Sequence, residues 1–364
     1  MHISSQPFSA PRALCEIDTA ALAHNYRALR AHLGKTIAVV KANAYGHGLS
    51  LAVPTLLQVG CDFFAVATAK EALSVRKLAP FAHILLLGYA ALDEIGVLLD
   101  ADITLCVFSL PYAKALDAQA KKRGKKARVH LKIDTGMHRL GFSPLQKQDI
   151  LRVLSLQGLD VCGIFTHFPS ADTDPGDTLA ALEHFNRLRA ELPVKLFAHA
   201  AASAAALTLP EARLDAVRVG IALYGYPPVP CALDLRPVLR LTAPVVQLHR
   251  VPSGTRVGYG GDFICQKESL IGTVPLGYAD GIFRSLTGYS VTVLCDGKKL
   301  IAPIVGRVCM DYLMLDLSDL PTKEGETVCI FEDFSAAACH ADTIPYELLT
   351  AISARVPRRE KGEV

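Results

Sequence analysis

TIAVVKANAYGHG, residues 36–48, begins as a short β-branched apolar run, reaches a lysine at 41 and ends in a glycine-containing turn. Working outward, the same phrase recurs as FFAVAT (63–68), HILLLGY (83–89), DITLCVF (102–108), RVHLKID (128–134), LDVCGIFTHF (159–168), LFAHAA (196–201) and LDAVRVGIALYG (214–225). Between these runs lie segments such as AKEALSVRKLA, PYAKALDAQAKKRG and DTLAALEHFNRLRAEL, whose apolar residues fall three and four apart as an amphipathic helix requires. Eight alternating β and α units predict an α/β fold, an N-terminal (β/α)8 barrel of the TIM type. An open doubly wound sheet would place a G-x-G-x-x-G phosphate loop after its first strand, and none stands there.

After YPPVPCALDLRP (226–237) the rhythm changes. LTAPVVQLHRV, ESLIGTVPLGY, YSVTVLC, KKLIAPIVGRV, YLMLDLS and ETVCIFE follow one another with turns and almost no helix between them, which predicts a C-terminal antiparallel β domain. The expected division is a barrel over 12–236 and a β domain over 237–364, with residues 1–11 packing against the latter. A last helix is expected near 345–354, ahead of a basic tail in which Pro357 stops it.

A chain of 364 residues exceeds what one hydrophobic core ordinarily serves. With 51% hydrophobic and 20% charged residues, it reads as globular. The net charge of +3 shows no asymmetry beyond the run Lys121 to Lys126, so no nucleic-acid partner is expected. No apolar run approaches the roughly 20 residues of a membrane helix, and the first residues lack a signal peptide's basic and apolar regions. The reading is a cytoplasmic protein with no membrane partner. Ten cysteines stand singly, without Cys-x-x-Cys spacing, and read mostly as buried thiols. His47, His138, His167 and His199 lack local ligand pairs, so no metal is expected and a metal hydrolase is disfavoured.

Barrel enzymes assemble their sites at the C-terminal ends of the strands, and the unusual polar residues collect there. Lys41 follows the first run, Lys132 and Arg139 bracket the end of the fifth, and His167 ends the sixth. Ser203 follows the seventh, and Arg218 with Gly220 lies on the eighth. In a partly dry barrel mouth, desolvation favours the neutral amine that Schiff-base chemistry needs. Lys41 alone could equally cap a strand with its amine in water. Arg218 alone could be a structural arginine, which when buried would call for an acidic partner.

AVVKANAYGHG (38–48), KIDTGMHRLGF (132–142), THF (166–168), HAAASAA (199–205), VRVGIALYG (217–225), VGYGGDF (257–263), PLGYADG (275–281), GRVCMDYLMLD (306–316) and RVPR (355–358) follow in one order. Together they resemble the signatures of the alanine racemase family over nearly the whole chain. The resemblance implies a barrel plus a β domain, pyridoxal 5'-phosphate as cofactor, and a head-to-tail homodimer whose active sites are built from both subunits. Its implied role is to interconvert L- and D-alanine, supplying D-alanine for peptidoglycan.

Residue by residue, Lys41 resembles the family's cofactor lysine and the base on the D-side of the substrate. Tyr278, from the second domain of the partner subunit, resembles the base for the opposite face, with His167 and Arg218 as relay and nearby charge. Inversion needs a proton removed from one face and returned to the other, hence two bases. Arg218 resembles the arginine on the cofactor's ring nitrogen, a cation that keeps the ring a weaker electron sink. Tyr45, the Ser203 hydroxyl and the amides of Gly220 and Ile221 are expected on the phosphate, although Ser203 also suits a helix N-cap. Arg139 and Met310 are expected at the substrate carboxylate, and Lys132 matches a lysine that is carbamylated in many relatives.

Two positions depart from the family pattern. Ala354 stands where many members have tyrosine, and Ala202 where asparagine often precedes the phosphate serine. Smaller side chains there keep a broad-specificity or serine racemase as an alternative. A decarboxylase on the same architecture should carry a glycine-rich phosphate loop and a catalytic cysteine, and a noncatalytic cofactor carrier should lack both the β domain and the Tyr278 motif.

Overall fold

The apolar runs of the first half are unbroken because both faces of each strand are covered. The computed structural model describes residues 11–362. After β1 (Leu14–Ile17) come eight strands: β2 (Thr36–Val39), β3 (Phe63–Val66), β4 (His83–Leu86), β5 (Leu105–Val107), β6 (Ala127–Lys132), β7 (Leu159–Phe165), β8 (Phe197–His199) and β9 (Val217–Val219). They pair in parallel as two ribbons, β4-β3-β2-β9 and β5-β6-β7-β8. At one seam Leu86 N–H donates to the Thr104 carbonyl and Thr104 N–H to the Ile84 carbonyl, each at 2.9 Å. At the other, Asp215 N–H reaches the Ala198 carbonyl at 3.0 Å and Arg218 N–H the Ala201 carbonyl at 2.9 Å. The eight strands therefore close into the expected barrel.

Local chemistry sets where the covering helices begin. Thr68 and Glu71 form a reciprocal capping box at the start of Ala69–Leu78. Ser109 caps Leu110–Lys122, which carries a proline in its first turn, and Asp174 caps Pro175–Ala190. The basic run crosses the end of the second of these helices, where Arg123 and Lys125 pair with Asp100 at 3.1 and 2.6 Å.

The second unit holds β10 (Leu239–Pro244), β11 (Gln247–Val251), β12 (Arg256–Val257), β13 (Phe263–Ile264), β14 (Ser269–Val274), β15 (Ser290–Cys295), β16 (Lys298–Val305), β17 (Leu313–Asp316), β18 (Thr327–Phe331) and β19 (Arg358–Glu360). Eight of these strands join β1 in one sheet of order β11-β14-β17-β16-β15-β18-β10-β1-β19, and β12 and β13 form a separate hairpin. Along β15 the side chains alternate between covered and accessible, the mark of a sheet with one wet face.

The expected barrel start at residue 12 does not hold. β1 lies in this sheet, antiparallel to β10 and parallel to β19. The sheet unit takes the described chain up to Thr19, residues 46–48 and everything from Pro237; the barrel unit is Ala20–Tyr45 and Leu49–Arg236. The expected packing of residues 1–10 lies outside the described residues. The tail beyond Pro357 is strand β19 rather than loose chain, and the last helix runs over Pro345–Ala351. A helix at Phe334–His340 interrupts a region whose pattern shows only strands.

Among the described residues no helix is long and apolar enough to cross a membrane. None of their His, Cys, Asp and Glu side chains gather in threes that could hold a metal ion. All ten cysteines are free thiols, six of them buried.

Candidate active site

Lys41 leaves β2 at the C-terminal mouth of the barrel. Burial is the main force lowering its pKa, and the cations Arg139 and Arg218 push the same way while Glu71 opposes them. The next four residues, Ala42, Asn43, Ala44 and Tyr45, all have φ between 51° and 55°, a left-handed turn without a glycine. Left-handed L-residues cost roughly 1–2 kcal/mol each, so the turn persists only because its surroundings hold it. Ala42 N–H donates to Glu71 Oε1 at 2.6 Å, Leu49 N–H to Asn43 Oδ1 at 2.9 Å, and Ala44 N–H to the Val40 carbonyl at 2.9 Å.

The turn delivers Tyr45 to the pocket end of β9. Its ring packs on Tyr224 with centroids 5.1 Å apart. A Cβ on Gly220 would stand 2.3 Å from the Tyr45 hydroxyl, so only glycine lets the two approach. Gly220 N–H donates to Ser203 Oγ at 3.3 Å. Ser203 is the first residue of the helix Ser203–Thr208, whose N-cap is Ala202, so the alternative N-cap role is not the one it plays. Ile221 opens a short 3-10 turn next to Gly220. Tyr45, Ser203, Gly220 and Ile221 thus form one cluster, as expected.

Arg218 is buried, and none of its partners is acidic, contrary to what a purely structural arginine required. One terminal nitrogen donates to His199 Nδ1 at 2.7 Å and to the His199 carbonyl at 3.0 Å. The other reaches the Thr166 and Ala200 carbonyls, each at 2.7 Å, and His167 Nδ1 at 3.3 Å. The Nε–H is the guanidinium donor that no described residue takes up. Arginine only donates, so His199 accepts at Nδ1 and donates through Nε2 to His130 Nδ1, 2.9 Å away. Burial and the neighbouring cations push His167 down to about 2 and His130 to about 3, so both imidazoles are neutral at physiological pH. Burial lowers Arg218 to about 9, which leaves it protonated at neutral pH.

Lys132 ends β6, buried, with Nζ 5.1 Å above the Phe165 ring; Arg218 lies over the same ring at 5.4 Å. Burial first, then Arg218 and Arg139, drop its pKa to about 7. Arg139 is exposed on the loop after β6, with no ion-pair partner among the described residues. Because folded Lys132 holds its proton more weakly than the unfolded chain does, stability rises with pH from about 7 toward the ordinary lysine value, and the full penalty applies below 7. Lys132→Met is therefore expected to be more stable than the parent at pH 6, by on the order of 3 kcal/mol. In urea unfolding at a series of pH values the difference should shrink as pH rises above about 7; a constant difference would show that the charge is not its source.

In the sheet unit, Tyr278 begins a 3-10 turn tied to the neighbouring loop: Tyr278 N–H donates to the Cys309 carbonyl and Ala279 N–H to the Met310 carbonyl, each at 3.0 Å. Asp280, fully buried, clamps the turn through Gly277 N–H at 3.0 Å and the Arg12 guanidinium at 2.8 Å. Met310 is exposed on this loop. A cavity of about 240 Å³ is lined by Tyr259, Tyr278, Arg284, Arg307, Val308 and Cys309. Tyr259 was quoted in VGYGGDF but not singled out. It is 69% exposed, against 45% for Tyr278, and sits among Gly258, Gly260 and Gly261, all with positive φ. A bulky tyrosine between glycines that pack nothing was the available sequence signal.

Residues 17–228 match the alanine racemase N-terminal domain and 238–360 the alanine racemase C-terminal domain. The chain belongs to the alanine racemase family. It is 40% identical to alanine racemase 2 of Caldanaerobacter subterraneus subsp. tengcongensis, over 94% of this chain and 93% of that protein. It superposes on the alanine racemase of Clostridium difficile 630 with a TM-score of 0.90 at 33% identity, covering 97% of each chain. A Bartonella henselae alanine racemase crystallised with covalently bound pyridoxal phosphate gives 0.87 at 30% identity, covering 96% of this chain and 100% of that one. Members of this family are racemases, a class of isomerase. The barrel mouth suits the family's cofactor on its own chemistry: an amine of lowered pKa, the Tyr45 and Ser203 hydroxyls gathered at the Gly220 backbone, and a buried cation with one donor to spare.

Proposed function

We propose that this chain is an alanine racemase working with pyridoxal 5'-phosphate, and the observation that carries the reading is the Lys41 amine of lowered pKa at the same mouth as the carboxylate-free Arg218. Lys41 would hold the group covalently, Tyr45, Ser203 and the amides of Gly220 and Ile221 its phosphate, and Arg218 Nε–H its ring nitrogen. When bound, the group supplies an electron sink that acidifies the substrate's α-proton. Lys41 takes or returns that proton on one face. His167, held neutral beside Arg218, cannot compete as a cation for the same pocket. Arg139 and the Met310 amide hold the substrate carboxylate. Lys132, half neutral near pH 7, can add CO2 with release of a proton, and the resulting carbamate would pair with Arg139; added bicarbonate should then narrow the acid-side stability gap to Lys132→Met.

The second face needs a second base, and the cavity of the sheet unit offers two phenols. Sequence reading favoured Tyr278. Its turn is already engaged in bracing the Met310 loop, whereas Tyr259 packs against little within its own unit, and Arg307 lies close to its turn. We therefore favour Tyr259, supplied by the partner subunit of a homodimer, with Tyr278 beside it at the entrance. Tyr259→Phe is expected to lose about 10²- to 10⁴-fold in α-proton exchange from L-alanine, and Tyr278→Phe markedly less. The reverse order would return the role to Tyr278. Mixing Lys41→Ala with the inactive tyrosine variant should restore activity only if sites are shared between subunits.

The biological role we infer is D-alanine supply for peptidoglycan in the cytoplasm. Serine is kept as a second substrate because Ala354, exposed, and Ala202 leave methyl groups where larger side chains are usual. The deciding experiment follows α-deuterium uptake and product chirality from L-alanine and L-serine in deuterated water. Absence of exchange from both would sink the reading.

A further inference from the structure

We propose that Glu71 is a positioning residue for Lys41, its carboxylate holding the left-handed turn that follows the lysine. The inference rests on the cofactor role given to Lys41. Glu71 Oε1 accepts from Ala42 N–H at 2.6 Å, while Oε2 accepts from Ala67 N–H at 2.9 Å and Thr68 N–H at 3.2 Å. One carboxylate thus ties the first residue beyond Lys41 to the end of β3 and to the cap of the helix Ala69–Leu78. Ala42 is the first of the four residues with φ above 50°, where an L-residue stays only under restraint. The bonds of Asn43 and Ala44 act farther along the turn, so Glu71 is the side chain that fixes its first peptide. Only an ionised carboxylate meets all three donors. A glutamine would turn its NH2 toward N–H groups on one side. The box at Thr68 is by itself a helix cap, yet the same glutamate reaches across to the lysine's neighbour.

The test uses the full chain stripped of cofactor, with pyridoxal phosphate itself as the probe. Covalent attachment is followed by its visible absorption and by borohydride trapping, with peptide mass locating the labelled lysine. Glu71→Gln is expected to slow attachment at Lys41 by about ten- to hundredfold. Adding Ala42→Gly, which makes the left-handed conformation strain-free, should restore most of the rate. Thr68→Ala removes the cap hydroxyl while leaving the Ala42 bond, so it should lower thermal stability without changing attachment. Attachment in Glu71→Gln at the parent rate, or a double variant as slow as the single, overturns the inference. Should Glu71→Gln not fold, amide exchange of the parent decides: Ala42 N–H protected at least about tenfold over Asn43 N–H supports it, and equal exchange overturns it. A parent chain that never labels Lys41 would instead remove the cofactor reading on which the inference stands.

Discussion

Lys41→Ala is expected to abolish racemisation, with a loss of at least about 10⁴-fold in α-proton exchange, since it removes both the proposed attachment point and the proposed base. The same substitution should leave the fold intact. Lys41 holds an amine that burial and two arginines already disfavour as a cation, so deleting it removes a penalty rather than a support. A thermal midpoint equal to or above that of the parent, together with no covalent uptake of pyridoxal phosphate, is the expected pair of results. Retained exchange would mean that another residue serves as the base, and a large fall in midpoint would mean that Lys41 has structural partners not visible in its surroundings.

Arg218→Glu carries the second large effect. Three carbonyls and two imidazole nitrogens converge on the guanidinium, all of them acceptors. A glutamate there would be an acceptor among acceptors, obliged to bind a proton and still unable to serve more than one of them. The barrel should lose on the order of 3 to 5 kcal/mol, which for a unit of this size lowers the midpoint by about 2–4 °C for each kcal/mol. Activity should fall by about 10²- to 10³-fold. If Arg218 holds the cofactor's ring nitrogen as proposed, whatever turnover remains should shift toward transamination, because an acid there would strengthen the electron sink that an arginine keeps weak. Product analysis that finds unchanged partitioning would separate the stability role of Arg218 from any control over the reaction. Arg218→Lys is the gentler control, having three donors and no planar fork for the five acceptors.

The barrel strands were legible because burial on both faces leaves an unbroken apolar run, and the polar residue that ends such a run is conspicuous. Lys41, Lys132, His167 and Arg218 stood out for that reason. The two short strands β1 and β19 were not legible. LCEI at Leu14–Ile17 is too brief to show a period, and RRE at Arg358–Glu360 carries no apolar residue at all; each is a strand only because its neighbour offers a ladder. The left-handed turn was hidden for a different reason: KANAY contains helix-favouring alanines, and its handedness is imposed by a carboxylate twenty-nine residues away. His199 read as an isolated histidine and His130 was not singled out, since nothing in their spacing shows that they hydrogen-bond each other behind Arg218. Tyr259 was not singled out because the glycine-rich segment around it carries little apolar pattern to mark it.

The place of β1 in the sheet bears on how the chain is made. Its residue Leu14 registers with Thr242, and Cys15 with Arg358. At about 5–20 residues per second of synthesis, the first partner emerges roughly 10 to 45 seconds after β1 and the second roughly 17 to 70 seconds after it. The barrel can close meanwhile from its own sequential strands. Made before every other described strand, β1 is thus the last of them to be paired on both edges, and its sheet is complete only once β19 has emerged.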